Sequence, residues 1–246
     1  GDIGDKLTIS SGTIVASNLE YKAWYGYKSD GIYQNTKEVA ESAVTSATVQ
    51  PGDIRYKDLG GANGVPDGII NGDYDRTVIG SSLPRFNYGG SVFCSWKGID
   101  FNMTFQGVGK RDALLTDQMV QALYSYWGNV PKFVAKNHWS PFNTVNENLD
   151  AKYPRYSQTT GTSSQNYAVS DFWLINGAYF RVKDITLGYT LPQKWMNTIG
   201  IRSLRISCSL SDFFTACHFP KGWDPEVSSN GYPITKSVVI GANIKF

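Results

Sequence analysis

Apolar and polar residues alternate with a period of two along much of the chain. Ile99, Phe101, Met103 and Phe105 are interleaved with Asp100, Asn102, Thr104 and Gln106. Leu204, Ile206, Cys208 and Leu210 are set against Arg205, Ser207, Ser209 and Ser211. Val238, Ile240, Ala242, Ile244 and Phe246 are set against Ser237, Val239, Gly241, Asn243 and Lys245. Successive side chains of a strand point to opposite faces, so each segment predicts a strand with one apolar and one polar face. Phe86–Trp96, Asp184–Leu191 and Asn18–Tyr27 follow the rule less strictly, and Leu7–Ala16 weakly. The pattern predicts about seven antiparallel strands of roughly ten residues, long for a soluble sandwich and sufficient to cross a bilayer at a tilt. Helical spacing is found mainly in Asp112–Trp127, through Leu114, Leu115, Met119, Leu123 and Tyr126.

The connections sharpen this picture. Ser17-Asn18 and Lys97-Gly98 are expected to be tight turns and Pro192–Gly200 a medium one, whereas 29–83, 110–176 and 214–234 are long. Short and long connections therefore alternate, as in outer-membrane barrels with short periplasmic turns and long extracellular loops. With Phe246 placed in the periplasm, Trp96, Tyr189 and Phe246 fall near one membrane interface. Tyr25, Tyr27, Phe86, Tyr88, Phe105, Phe180 and Phe213 fall near the other. The competing reading is a soluble, aromatic-rich, carbohydrate-binding β-sandwich with the same aromatics in its core.

Charge and composition mostly exclude. With 23 basic against 21 acidic residues, the net charge of +2 offers no electrostatic footprint for nucleic acid. No apolar run reaches the roughly 18 residues of a membrane helix, which leaves membrane strands open. Cys94, Cys208 and Cys217 are odd in number and lack zinc-site spacing. His138 and His218 have no nucleophile elbow or paired-carboxylate motif beside them, so the chain is expected not to be an enzyme. The opening Gly1-Asp2-Ile3-Gly4-Asp5, without Met, is expected of a piece of a longer polypeptide.

Several segments, in order, resemble a known family. They are Gly52-Asp53-Ile54-Arg55-Tyr56-Lys57-Asp58, Asp73-Tyr74-Asp75-Arg76-Thr77-Val78-Ile79-Gly80, Pro84-Arg85-Phe86-Asn87-Tyr88-Gly89 and Phe105-Gln106-Gly107. Asp171-Phe172-Trp173-Leu174 and Tyr179–Tyr189 follow, then Gly222-Trp223-Asp224-Pro225-Glu226 and Tyr232-Pro233. Together, from about Trp24 to Phe246, they resemble the C-terminal part of the barrel of SusC/RagA-type TonB-dependent outer-membrane transporters. The resemblance implies that residues 1–246 form part of a 22-strand barrel whose plug lies outside this chain. It implies import of glycans or peptides, coupled to TonB through the plug and assisted by a SusD-like surface lipoprotein. The expected partners are the remaining barrel and plug, that lipoprotein, TonB, the substrate and outer-membrane lipid, with the C-terminus periplasmic.

Two groups of loop residues are candidate sites. Tyr126, Trp127, Trp139, Trp173 and Trp223 could stack on substrate, or could equally hold the long loops together. The run Asn63–Asp75 is similar to a calcium loop, with Asp67, Asn71, Asp73 and Asp75 as candidate ligands. With Asp67 as fifth loop position, however, Val65 and Tyr74 occupy ligand positions and the bidentate carboxylate is missing. The alternative is an Asp/Gly-rich turn closed by side-chain-to-backbone bonds. No other cofactor is expected.

Overall fold

The computed structural model describes residues 8–46, 48–116, 119–121, 129–157, 163–198, 200–227 and 231–246. The first half carries β1 (Thr8–Ser10), β2 (Thr13–Val15), β3 (Ala23–Tyr27), β4 (Ser29–Ile32), α1 (Thr36–Glu41), β5 (Ile54–Tyr56), β6 (Arg76–Ser81), β7 (Phe86–Trp96) and β8 (Ile99–Gly109). After it come β9 (Asp112–Leu114), α2 (Lys132–Lys136), α3 (Val145–Leu149), α4 (Ser163–Tyr167), β10 (Leu174–Asn176), β11 (Tyr179–Thr190), α5 (Gln193–Thr198), β12 (Ser203–Cys217) and β13 (Ser237–Lys245). The chain divides into two compact units, Gly1–Leu83 with Arg111–Asn176, and Pro84–Lys110 with Gly177–Phe246.

The second unit is built on one antiparallel sheet in the order β13-β12-β11-β8-β7. Its register assembles the alternating residues into cross-strand rungs. Trp96, Ile99, Tyr189, Ile206 and Ala242 form one, and Cys94, Phe101, Leu187, Cys208 and Ile240 the next. Val92, Met103, Ile185, Leu210 and Val238 form a third. The intervening rungs are mainly polar, such as Ser91, Thr104, Asp184, Ser211 and Ser237. The sheet thus has one apolar and one largely polar face, as the alternation predicts. None of Ile99, Phe101, Met103 and Phe105 is buried. A sandwich would bury that row against a second sheet, so the sandwich reading does not describe this sheet.

The β7–β8 turn is at Lys97-Gly98, with φ of 49° and 86°, the left-handed pair that tight hairpins require. Gly98 is doubly constrained, because a Cβ there would lie 2.7 Å from the carbonyl oxygen of Thr190. Aromatics mark both ends of the apolar face. At the turn end, Trp96 carries the Lys97 ammonium 4.7 Å over its ring. At the other end, Phe86 and Tyr88 lie over Gly109 and Gly107, and Phe105 packs 5.6 Å from Phe180. From Tyr88 to Trp96 the strand rises about 26 Å, or about 20 Å along a membrane normal at a ~40° tilt, close to the apolar band of outer-membrane barrels.

The first unit departs from the pattern. Leu7–Ala16 is not one long strand, because Ser11 and Gly12, at φ of 48° and 78°, fold it into the β1–β2 hairpin. Asn18 and Lys22 are also left-handed, and β3 begins only at Ala23. The sheet β1-β2-β3-β6 is therefore short-stranded, and among the described residues the long strands number five. Tyr25 and Tyr27 are not in the five-stranded sheet: Tyr27 stacks on Tyr56 at 5.0 Å and Tyr25 carries the Arg76 guanidinium. Asp112–Leu114 is strand β9, paired with β10, where helical spacing predicted a helix. The cause is local to Asp112, whose carboxylate accepts from the Ser81 N–H at 2.8 Å while its carbonyl accepts from the Trp24 indole at 2.9 Å.

The long connections 29–83 and 110–176 contribute most of the first unit and share its core. Tyr33, Ile54, Tyr56 and Ile70 come from the first, and Leu115, Val120, Val134, Trp139 and Trp173 from the second. A buried polar group ties them. Asp53, fully buried, accepts from Arg155 Nε at 2.7 Å, Asn166 Nδ2 at 2.9 Å and the Gln50 N–H at 3.0 Å. Asn166 in turn accepts from the Ile54 N–H at 2.8 Å, and its carbonyl accepts from the Trp173 indole at 2.7 Å.

Candidate functional site

The first candidate surface is the polar face of the five-stranded sheet. At its turn end, Arg205 forms a fork with Asp100 across β11, at 3.0 and 2.5 Å. Gly188 lies between them, and a Cβ there would sit 2.3 Å from the Arg205 guanidinium. At the loop end, a β-bulge reshapes the face. The β11 register shifts between Val182 and Asp184: Lys183 is an extra residue relative to β8, and β12 in turn sets two residues, Asp212 and Phe213, against it. Asp212 takes φ of 56° to accommodate the break.

The bulge gathers a charged cluster with the β12–β13 connection. Arg181, only 2% exposed, donates to Asp224 at 2.7 Å, Glu226 at 2.8 Å and Thr215 at 3.0 Å. Lys183 donates to Glu226 at 3.0 Å and Asp212 at 3.2 Å, and Gln106 donates to Glu226 at 2.5 Å. Burial pushes the Glu226 carboxyl up. Hydrogen bonds from Lys183, Tyr179 and Gln106, with the Arg181 charge, outweigh that and leave it below its ordinary value. Charge-assisted bonds thus hold the segment Asp224-Pro225-Glu226 to the sheet. Trp223, just before it, is half-buried in a turn in which its N–H donates to Pro220.

The second candidate surface lies in the first unit. His138, Trp139, Phe142 and Tyr156, with Gln50, Ser140, Arg155 and two prolines, line a cleft of about 400 Å³. The His138 and Tyr156 rings stack at 4.0 Å and 12°. Phe142 is 96% exposed, whereas Trp139 is only 8% exposed and packs against Gly52 as a wall. The segment behind Phe142 is stapled: Asn148 accepts from the Ser140 N–H, and Thr144 and Glu147 close a capping box on α3. Burial raises the Tyr156 phenol, which therefore remains a donor at physiological pH.

The other sequence-predicted aromatics are dispersed. Trp173, 3% exposed, stacks with Tyr153 and Tyr167 and meets Phe172 edge-on, in the core of the first unit. Tyr126 and Trp127 lie outside the described residues. His138 and Tyr156 were missed by sequence reasoning. They are 18 positions apart, and only the fold stacks them.

In the Asp/Gly-rich run, Asp75 is fully buried and accepts from the N–H groups of Leu59, Gly60 and Asn71 at 2.8, 3.3 and 2.7 Å. Asn71 accepts from Asp73 and Tyr74, and Asp67 from Ile69. Among the described residues no three acidic, His or Cys side chains converge as a metal site would need. The oxygens of this loop serve backbone donors, a poor fit to a calcium ion, which requires six to eight oxygens converging on it.

A one-sided apolar antiparallel sheet with aromatics at both ends defines a segment of a transmembrane β-barrel. Comparison with known proteins makes the assignment narrower, although no family model matches the chain. It is 28% identical over 241 residues to TonB-dependent receptor P3 of Formosa agariphila, covering 91% of this chain and 22% of that one. It is 30% identical over 92 residues to TonB-dependent receptor SusC of Bacteroides thetaiotaomicron, covering 35% of this chain. The solved RagAB peptide transporter superposes over 98% of this chain with a TM-score of 0.67 and 21% identity, and so shares its fold. These similarities support a barrel segment of the SusC/RagA type of TonB-dependent receptor, and the chain spans about a quarter of the length of the relatives it matches.

Proposed function

We propose that the receptor to which this chain contributes imports glycans or peptides across the outer membrane of a Gram-negative bacterium. The polar face of β7, β8 and β11–β13 lines the water-filled lumen, and the apolar face meets lipid. The end carrying Lys97-Gly98 and Phe246 is periplasmic, and the long connections are extracellular. A SusD-like lipoprotein caps the extracellular side, and TonB supplies energy through a plug outside this chain. The reaction is transport, with no covalent step assigned to these residues.

The observation that carries the reading is the register, which sorts most apolar strand residues onto one face, with Phe93, Val108 and Val239 among the exceptions, and leaves the Ile99–Phe105 row of that face unburied. The test is a gene deletion in the native bacterium, read as uptake and growth on single glycan or peptide sources, with a TonB-deficient strain beside it. Loss of growth on one source in both strains is expected. Recovery of the protein in the soluble fraction, or uptake that ignores TonB, would overturn the reading.

A further inference from the structure

We infer that the cleft of His138, Phe142 and Tyr156 is a binding site for one neutral sugar residue of an oligosaccharide. The inference rests on the import reading for its biological setting, but its chemistry is argued from the cleft alone.

Three properties of the lining select the ligand. The first is ring faces: a fully presented phenyl at Phe142 and a stacked imidazole–phenol pair at His138 and Tyr156. Such surfaces pair with the C–H face of a flat, weakly polar ring. The second is charge. Arg155 is the cleft's one permanently charged group, and its Nε and Nη2 are already engaged by the buried Asp53 carboxylate at 2.7 and 3.4 Å. A site so balanced offers no counter-charge to a carboxylate, sulfate or ammonium group.

The third property separates sugar from peptide. A peptide bound in extended form is held chiefly by main-chain hydrogen bonds to an unpaired edge. Here the N–H groups of Trp139, Ser140 and Arg155 donate to Tyr153, Asn148 and Gly52. Those of Gln50 and Phe142 donate to Asp53 and Ser140, and the two prolines have none. Five of the lining's seven main-chain N–H groups are thus engaged, whereas its side-chain polarity, the Tyr156 and Ser140 hydroxyls, the Gln50 amide and the buried, unpartnered Trp139 indole N–H, suits ring hydroxyls. The floor is preformed, because Asp53, Arg155 and the Ser140–Asn148 staple fix it without a ligand, so little ordering cost opposes binding.

The experiment uses the full receptor, with its lipoprotein if the two co-purify, in detergent. It is titrated calorimetrically with a panel of neutral gluco-, manno- and galacto-oligosaccharides, their uronic or sulfated counterparts, and proline-rich peptides. At least one neutral oligosaccharide is expected to bind. Phe142→Ala should weaken that binding about tenfold, as loss of a stacked aromatic contact does. Tyr156→Phe should weaken it severalfold while leaving the ring stack. Both positions are at the cleft surface, and heat-modifiable migration of each variant checks that the barrel has folded.

Binding of neutral sugars that neither variant changes would overturn the inference. So would a charged glycan or a peptide that binds in its place, or no saccharide binding by a correctly folded receptor. The import reading fails on different results, namely mislocalisation or TonB-independent uptake, which in vitro titration does not touch.

Discussion

At the residue scale, the most exposed dependence is on Asp53. Its carboxylate receives Arg155, Asn166 and the Gln50 N–H with no access to water, so each partner meets a desolvated acceptor. Removing one side of a buried pair leaves the other charge unpaired, at about 3–5 kcal/mol. Asp53→Ala is therefore expected to loosen the loop unit by about that amount, whereas Arg155→Ala together with Asp53→Ala costs less than the two single changes summed. Limited proteolysis of the folded receptor measures this; a single variant as resistant as wild type would contradict it. Asp75 gives a second residue-scale prediction. Because its oxygens serve three backbone N–H groups, calcium or a chelator should leave cleavage around residues 58–76 unchanged, while Asp75→Ala should accelerate it. Calcium-dependent protection would show instead that the loop rearranges around an ion.

At the scale of elements, the bulge in β11 has the widest consequences. A regular strand would keep Phe180, Val182 and every second residue beyond on one face. The apolar set instead passes from Phe180 and Val182 to Ile185, Leu187 and Tyr189, because Lys183 is an added residue. That extra residue brings Lys183 and Asp212 to the anchorage of the β12–β13 connection. The pH dependence of this latch has a definite sign. A carboxyl whose value is depressed on folding contributes stability above its ordinary value and loses it as pH falls through the depressed one. Glu226 is such a group, so the latch should hold from neutrality down to its ordinary value of 4.5 and release only in stronger acid. Hydrogen exchange of residues 220–227 against pH reads this, and Glu226→Gln should already raise exchange at pH 7. Release near pH 6 would show that another group governs the latch.

The same element shows what was legible in sequence. The parity switch between Val182 and Ile185 is written in the chain, and so are the faces of β8, β12 and β13, because period two is a local property. The β1–β2 hairpin was not legible: Ser11-Gly12 satisfies alternation, and the left-handed backbone that turns it leaves no mark on the hydrophobic count. The loop unit was still less so. Asp53 meets Asn166 across 113 positions, and His138 and Tyr156 stack through a chain path that no periodicity describes. Trp139 and Trp173 were conspicuous as aromatics, yet burial makes them structural walls, and the exposed Phe142 presents the accessible ring.

At the scale of the whole molecule, β7 and β13 each pair on one side only among the described residues. In lipid such edges leave backbone groups unsatisfied, so each must pair with a further strand of the complete receptor. The apolar face then becomes the barrel's exterior at every depth between the aromatic ends. Opposite faces at one depth should therefore respond differently to the same charge. Met103 lies in the middle apolar rung with Val92, Ile185, Leu210 and Val238, and its neighbour Asn102 points to the other face. Met103→Arg in the full receptor places a guanidinium near the bilayer midplane and should cost about 2–4 kcal/mol. Asn102→Arg, facing water in the lumen, should cost little. Urea unfolding in lipid vesicles, followed by heat-modifiable migration, compares the two directly. Equal costs, or a larger one for Asn102→Arg, would mean that lipid does not cover the apolar face. The membrane assignment of every strand in the sheet would fail with it, since one register fixes them all.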